Sequence, residues 1–425
     1  MNKFVNMYDL IYCISNTGDL ISSEVTNHHK RAAYMAFRIA EAAGLTKQQQ
    51  REVFLAGLLH DIGAFSSAER LELLDKETPV VHRHAFTGAS ILEGFEPLKN
   101  AAEIIRYHHM PWDDGRGALF EGKSVPLSSH ILHLADRVAG QIDPGRGVIG
   151  QVDAINSRIK DKAGRVFAPD LVEAYLDIST REYVWLDATF EALMMIMPDM
   201  MSFDTLELTI DQMVDLAKVF AHLIDFRSPF TAKHSSGVAA VAERLAGMMG
   251  FSENERKTML IAGYLHDLGK LAIGREILEK PGRLDDDEFN IMKSHSYYTY
   301  RTLQAIRGFE TINLWASLHH ERLNGKGYPF RYKAEDIPLG SRIMAAADVF
   351  AAITENRPYR QGMTRDNVLE VLSRLVENES LSPLVCAVIS ENFEELNHCR
   401  DKAQTAAAAA YQKINKLPYP VLNEA

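Results

Sequence analysis

Apolar residues recur with a helical period over most of the chain. In VAAVAERLAGMMG (residues 238–250) they fall at i, i+3, i+4 and i+7, and Gly250 supplies a stop. Ser252 with Glu255 reads as a capping box that opens the next helix, which carries KTMLIAGYLHD (257–267). TIDQMVDLAKVFAHLID (209–225) and EAYLDISTREYVWLDATFEALMMIM (173–197) are amphipathic in the same way. Alternation of β-branched residues is sparse, so no substantial sheet is expected and the fold class read from the pattern is all-α.

The pattern also repeats. HHKRAAYMAFRIAEAAGLTKQQQREVFLAGLLHDIG, from His28, lies without gaps over HSSGVAAVAERLAGMMGFSENERKTMLIAGYLHDLG, from His234, with 12 of 36 positions identical. His60-Asp61 falls on His266-Asp267. The step from His84 to His108-His109 is 24 residues, as is the step from His295 to His319-His320. Asp136 in ILHLADRVA then answers Asp348 in RIMAAADVF, and FAPDLVEAYL (167–176) resembles LSPLVCAVIS (381–390). A single histidine in such a helix is ordinarily a packing or capping residue. Seven His and Asp positions kept in register in both halves point instead to metal ligands. The expected organisation is two tandem helical domains, 1–204 and 205–400, joined by helices, followed by a tail over 401–425.

Length and charge narrow the class. A chain of 425 residues with 46% apolar content suits two or three globular domains, and a net charge of −11 argues against binding polymeric nucleic acid. Cys13, Cys386 and Cys399 have neither metal-ligand spacing nor a disulfide framework, which suggests a reducing compartment. The start, MNKFVNMYDLIYCIS, lacks the features of a signal peptide, and no apolar run approaches the roughly 20 residues that span a bilayer. The expectation is a cytoplasmic protein without membrane contact.

The chemistry of the repeated residues suggests a pair of cations. Imidazole and carboxylate together suit iron or manganese first, with zinc and nickel as alternatives. Adjacent His266 and Asp267 cannot share one face of a regular helix, so they belong near a helix end, and Gly269 is the expected break. The assignment is His234, His266 and Asp348 on one ion and His295, His319 and His320 on the other, with the two oxygens of Asp267 joining them. Two cations about 3.5–4 Å apart lower the pKa of water toward ~7 and clamp both oxygens of a displacement at phosphorus. A metal-bridged hydroxide then needs no serine or cysteine nucleophile, and no GxSxG motif is present. The first half repeats the set as His28, His60, Asp61, His84, His108, His109 and Asp136, which gives a second expected centre. Glu24, four residues before His28, is a further candidate there.

HDLGK (266–270), HHERLNGKGYP (319–329), ADVFAAITENRPYR (347–360) and His234 together resemble the HD-GYP family, a branch of the HD metal-dependent phosphohydrolases, over roughly residues 206–400. The resemblance implies a helical domain that hydrolyses cyclic dinucleotides with iron or manganese centres. It implies Asp267 and Lys270 as catalytic residues, and Lys270, Tyr328, Arg357 and Arg360 as contacts to the substrate. Guanidinium forks and a lysine point charge suit phosphate oxygens. Gly325, Gly327, Tyr328 and Pro329 shape a loop just after two ligands. Three positions depart from the family pattern. Asn324 stands where Asp is common. Ala351 replaces an Asp often found three residues after the ligand Asp, which would leave Lys270 less tethered. Phe230 stands where three-metal members carry a Glu. The first half resembles a plain HD domain: HHMPWDDGRGAL (108–119) lacks Tyr-Pro, Ala64 replaces the lysine, and no RPYR follows Asp136.

The function expected is therefore a phosphodiesterase that opens cyclic di-GMP or 3′3′-cyclic GMP-AMP to a linear 5′-phosphorylated dinucleotide. Its first domain acts as a 5′-nucleotidase or as a regulatory module, and a homodimer through the first-domain helices is compatible with the pattern. The alternative is a receptor that binds the ring without cleaving it. A nucleoside triphosphate hydrolase is disfavoured because the GYP and RPYR segments occur together.

Overall fold

A computed structural model describes residues 3–6, 9, 11–12, 15, 27–64, 82–193, 197, 205–225, 233–280, 282–356 and 361–416. Glu24, Phe230, Cys13, Arg357 and Arg360 lie outside the described residues. The chain forms two compact units, one of Met7–Asp204 with Lys416–Ala425 and one of Met1–Asn6 with Thr205–Asn415.

The chain opens with strand β1 (Lys3–Asn6). The first unit then contains α1 (His28–Ala42), α2 (Lys47–Leu59), α3 (His82–Leu92), α4 (Lys99–Arg106), the short strands β2 (Leu119–Phe120) and β3 (Lys123–Ser124), α5 (Leu127–Gly140), α6 (Val152–Lys160), α7 (Pro169–Ser179) and α8 (Glu182–Thr189). Strand β4 (Thr205–Leu208) leads into the second unit. There follow α9 (Ile210–Asp225), α10 (His234–Met248), α11 (Glu253–Leu265), α12 (Arg275–Leu278), α13 (Asp286–Gln304), α14 (Glu310–Ser317), α15 (Leu339–Thr354), α16 (Arg365–Glu377), α17 (Pro383–Glu391) and α18 (Phe393–Asn415). Strands are confined to two antiparallel pairs among the described residues, β2–β3 and β1–β4, so the fold is all-α as the periodicity predicts.

The duplication survives as packing. Helix α1 lies on α2 and α5, and α10 lies on the equivalent α11 and α15. Each first pair touches through an alanine and a glycine. A Cβ on Gly57 would sit 2.5 Å from Ala33 Cα, and one on Gly263 would sit 2.5 Å from Ala239 Cα. Two of the twelve repeat identities are thus the contact that lets the ligand-bearing helices approach. The cores around them are aliphatic and aromatic, with Phe37 and Phe54 in the first unit and Phe220 and Phe350 in the second fully buried. Sealing such rings from water contributes about 1.5–3 kcal/mol each.

Capping decides where the helices start. Ser252 accepts from the Glu255 amide while Glu255 caps the Ser252 amide, so the expected capping box is present, and Thr46 with Gln49 forms its counterpart before α2. Three expectations need correction. The stretch 173–197 is not one helix, because α7 ends at Ser179 and α8 restarts at Glu182. Residues 401–415 are no separate tail; they continue α18, and buried Gln404 packs on Gly237 and hydrogen-bonds Glu355 at 3.0 Å. Gly269 is not the helix break. Helix α11 already ends at Leu265, and Gly269 sits in the following tight turn, where a Cβ would lie 1.9 Å from the His295 carbonyl oxygen. Gly63 does the same against the His84 carbonyl, at 2.2 Å. These glycines let the His-Asp turn dock on the helix carrying the next histidine.

Candidate metal centres

In the second unit, five of the seven ligands come from a helix end or from the turn beside one. His234 opens α10, His266 closes α11 with Asp267 next to it, His319-His320 follow α14, and His295 and Asp348 lie within α13 and α15. The helix ends explain the histidine tautomers. The last carbonyls of a helix lack intrahelical donors. The Nδ1 of His266 meets the Gly263 carbonyl at 2.8 Å, and that of His319 meets the Ala316 carbonyl at 2.6 Å. His295 does the same within α13, to the Met292 carbonyl at 2.6 Å. With Nδ1–H spent on the backbone, each Nε2 lone pair points inward.

Two triads result. His234, His266 and Asp348 present ligand atoms within 4.8 Å of one another, as do His295, His319 and His320. His234 Nε2 is 3.1 Å from Asp348 Oδ1. Asp267 stands between the triads, with Oδ2 3.2 Å from His266 Nε2 and Oδ1 3.5 Å from His295 Nε2. The structure brings all seven residues of the expected set together. The donor set fits divalent cations on its own chemistry: Nε2 of His266, Nε2 of His319 and Oδ1 of Asp267 are buried with no hydrogen-bond partner among the described residues.

The protonation states agree for one triad, whereas in the other, against the effect of burial, Glu355 and Asp348 raise His234 to about 10 and Asp267 raises His266, so a cation there would have to displace their protons. Burial holds His295 down to about 4 and His319 down to about 3, and it pushes His320 well below its usual value, so all three are neutral ligands. Burial alone would raise the carboxyl of Asp267, but His266 and Lys270 outweigh it and keep the group ionised. Lys270 Nζ donates to Asp267 Oδ2 at 2.6 Å. The lysine is therefore tethered by the central aspartate despite Ala351, contrary to the expectation from that departure.

The loop after His320 is held from beneath by Glu321, which the sequence pattern does not single out. Its buried carboxylate accepts from the amides of Phe330, Arg331 and Tyr332 at 2.6, 3.2 and 3.0 Å. The Tyr328 ring lies 4.8 Å from that of His320, and burial raises the phenol pKa, so it stays protonated. Asn324 uses both ends of its amide: Oδ1 accepts from the Lys326 amide at 2.9 Å and Nδ2 donates to the Asn378 carbonyl at 2.7 Å, a bond that Asp could not make. Glu355 is likewise absent from the expected set. It is buried 3.4 Å from His234 Nδ1 and seven residues after Asp348, two turns along one face, which is the signal that could have found it. Asp225, buried at the end of α9, accepts from the Ser235 hydroxyl at 2.7 Å and orients the residue beside His234.

The first unit repeats the plan. His28, His60 and Asp136 form one group and His84, His108 and His109 another. Asp61 lies 3.3 Å from His60 and 3.2 Å from His84. All seven expected residues converge here too. Three features differ. Arg137 grips Asp136 Oδ2 at 2.7 Å. Ala64 stands at the position that Lys270 holds in the second copy. The set is also fully buried, whereas the second has an open edge: the Asp348 side chain is 15% exposed against 4% for Asp136. His29, not expected from the sequence, is buried beside Asp61.

Two HD domain family models match, one over residues 218–381 and one over residues 25–141. The chain is 32% identical over 402 residues to 3′3′-cGAMP-specific phosphodiesterase 1 of Vibrio cholerae serotype O1, covering 92% of this chain and 93% of that one. It is 40% identical over 154 residues to the cyclic di-GMP phosphodiesterase response regulator RpfG of Xanthomonas campestris pv. campestris, 36% of this chain and 41% of that protein. In fold it is similar to the crystal structure of a cyclic GMP-AMP-specific phosphodiesterase of V. cholerae, with a TM-score of 0.60 at 21% identity over 98% of this chain and 99% of that one.

Proposed function

The chain belongs to the family of HD-domain phosphodiesterases that includes the 3′3′-cGAMP-specific enzymes, and from that premise we propose that it hydrolyses cyclic dinucleotides, 3′3′-cyclic GMP-AMP and cyclic di-GMP, in its second domain. The observation that carries this reading is Asp267 between two ligand triads with Lys270 on its outer oxygen, at the edge of a centre that reaches solvent. Water adds its oxygen to phosphorus, the P–O3′ bond breaks, and the 3′ oxygen takes up a proton, leaving a linear dinucleotide with a 5′-phosphate.

His234, His266 and Asp348 and His295, His319 and His320, with Asp267 between them, would hold divalent cations, which would supply Lewis acidity at phosphorus and acidify water; iron or manganese suits these donors best, zinc or nickel less. Lys270 stays charged because Asp267 outweighs the effect of its burial, so it offers a fixed cation to a phosphate oxygen at the open edge. Tyr328, protonated beside His320, can donate a hydrogen bond to the same phosphate. Arg357 and Arg360 complete the phosphate contacts in this reading.

Purified protein given Mn²⁺ or Fe²⁺ and each ring should yield the linear 5′-phosphorylated product. Tight binding of an unchanged ring with metal in place would replace this reading with the receptor. For the first domain, the burial of its donors and the alanine in place of the lysine support a metal-stabilised module over a 5′-nucleotidase. A His60→Ala/Asp61→Ala variant should then leave the ratio of phosphorylated to dephosphorylated product unchanged; accumulation of the phosphorylated dinucleotide would assign the phosphatase step to this domain. No described helix is long and apolar enough to cross a membrane, and a cytoplasmic site accords with the substrate. A homodimer is supported by the exposed Tyr183 and Leu186 of α8 and by Phe190 just after it, and light scattering tests it.

A further inference from the structure

His29 follows a ligand, and in the second copy its place is taken by Ser235, whose hydroxyl turns away to Asp225 at 2.7 Å. The His29 imidazole turns toward the centre. It is buried, and its Nε2 lies 3.6 Å from Asp61 Oδ2. His29, His60 and Asp61 present ligand atoms within 4.8 Å of one another, as do His28, His60 and Asp136.

His60 belongs to both groups but has one lone pair to give, because its Nδ1 is engaged by the Gly57 carbonyl at 2.8 Å. The two groups therefore surround a single ion. Donors bound at about 2.1 Å lie roughly 3.0–3.4 Å apart when they are neighbours on one cation. The separations found are His28 to Asp136 2.9 Å, Asp136 to His60 3.4 Å, His60 to Asp61 3.3 Å and Asp61 to His29 3.6 Å. The second-domain counterpart has His234, His266, Asp267 and Asp348 among the described residues, and there Lys270 meets the aspartate oxygen that His29 approaches in the first domain.

We propose that His29 is a fifth protein ligand of the ion held by His28, His60, Asp61 and Asp136, so that the first domain encloses one divalent cation in three imidazoles and two carboxylates. An added nitrogen donor moves preference toward cobalt, nickel or zinc and away from manganese. A fifth protein donor also removes a position at which water or phosphate would bind, which accords with the buried set. The inference rests on the reading that the first domain binds metal.

The test uses the full chain carrying His266→Ala and Asp267→Ala, which removes the donors the second centre shares, loaded anaerobically with Co²⁺. His29→Ser copies the second domain, and His29→Gln keeps an N–H donor for Asp61 but is a poor ligand. Both should alter the visible cobalt spectrum and speed loss of cobalt to a chelator at least about tenfold, with the helical circular dichroism intact. The glutamine variant alone decides the matter if the serine variant does not fold. Unchanged spectrum and retention in His29→Gln would make His29 a hydrogen-bond partner of Asp61 and overturn the proposal. Failure of the His29 parent to bind cobalt would overturn the first-domain metal reading itself, and the proposal with it.

Discussion

Lys270 and Glu355 touch the same centre from opposite sides, and their loss should be felt differently. Lys270 faces the open edge, so Lys270→Ala should lower kcat about 10²–10³-fold with metal content unchanged, as measured by product chromatography and metal analysis. Glu355 is buried behind His234, where it accepts from the ring and from Gln404. Glu355→Gln should weaken metal binding about 10–100-fold, read by chelator competition. A third residue sets a pH dependence. Burial, with His133 nearby, holds His130 down to about 4. The unfolded chain takes up this proton near pH 6.5 and the native chain only near 4. Its contribution is therefore whole above 6.5 and is lost as pH falls to 4, by an amount of order 3 kcal/mol. Denaturant melts of the first domain should show that loss, and His130→Leu should flatten it. The ligands could be read from sequence because imidazoles and aspartates recurring at one spacing seldom serve packing alone. Glu355 left only its seven-residue spacing from Asp348 as a signal, and Glu321 and His29 left none, since a lone acid or an extra histidine acquires its role only when distant helices meet.

Helix ends, more than helix interiors, build the centres. A histidine at a C-terminus can give Nδ1–H to a carbonyl three residues back and still aim Nε2 inward, and the pattern holds for His60, His266 and His319. The close helix pairs behind them depend on glycine. Gly263→Val forces side-chain carbons into Ala239, so it should destabilise the second domain by about 1–3 kcal/mol or more while leaving the first unaffected, which domain-resolved melting would show. Helix positions were legible from apolar period and caps. The break between α7 and α8 was not, because no glycine or proline marks it. The role of Gly269 is hidden for a related reason: close backbone approach leaves no local signature.

At the scale of the molecule, one plan of seven ligands has been used twice with opposite exposure. The second centre keeps an edge open beside a cation, and the first is shut behind Arg137 and His29. The division of labour follows from residues that differ between the copies and not from the shared set. The two four-residue strands were the least legible part, since KFVN and TLEL stand almost two hundred residues apart. Their pairing carries a consequence for how the protein is made. Asn6 sits opposite Thr205, so everything between them is an insertion whose two ends leave from one point on the second domain. A ribosome releases β1 first and its partner only after the whole first domain has emerged, so the leading strand waits unpaired while that domain is free to fold. The same topology means a two-residue turn could bridge the gap, giving a minimal enzyme whose chain closes on itself.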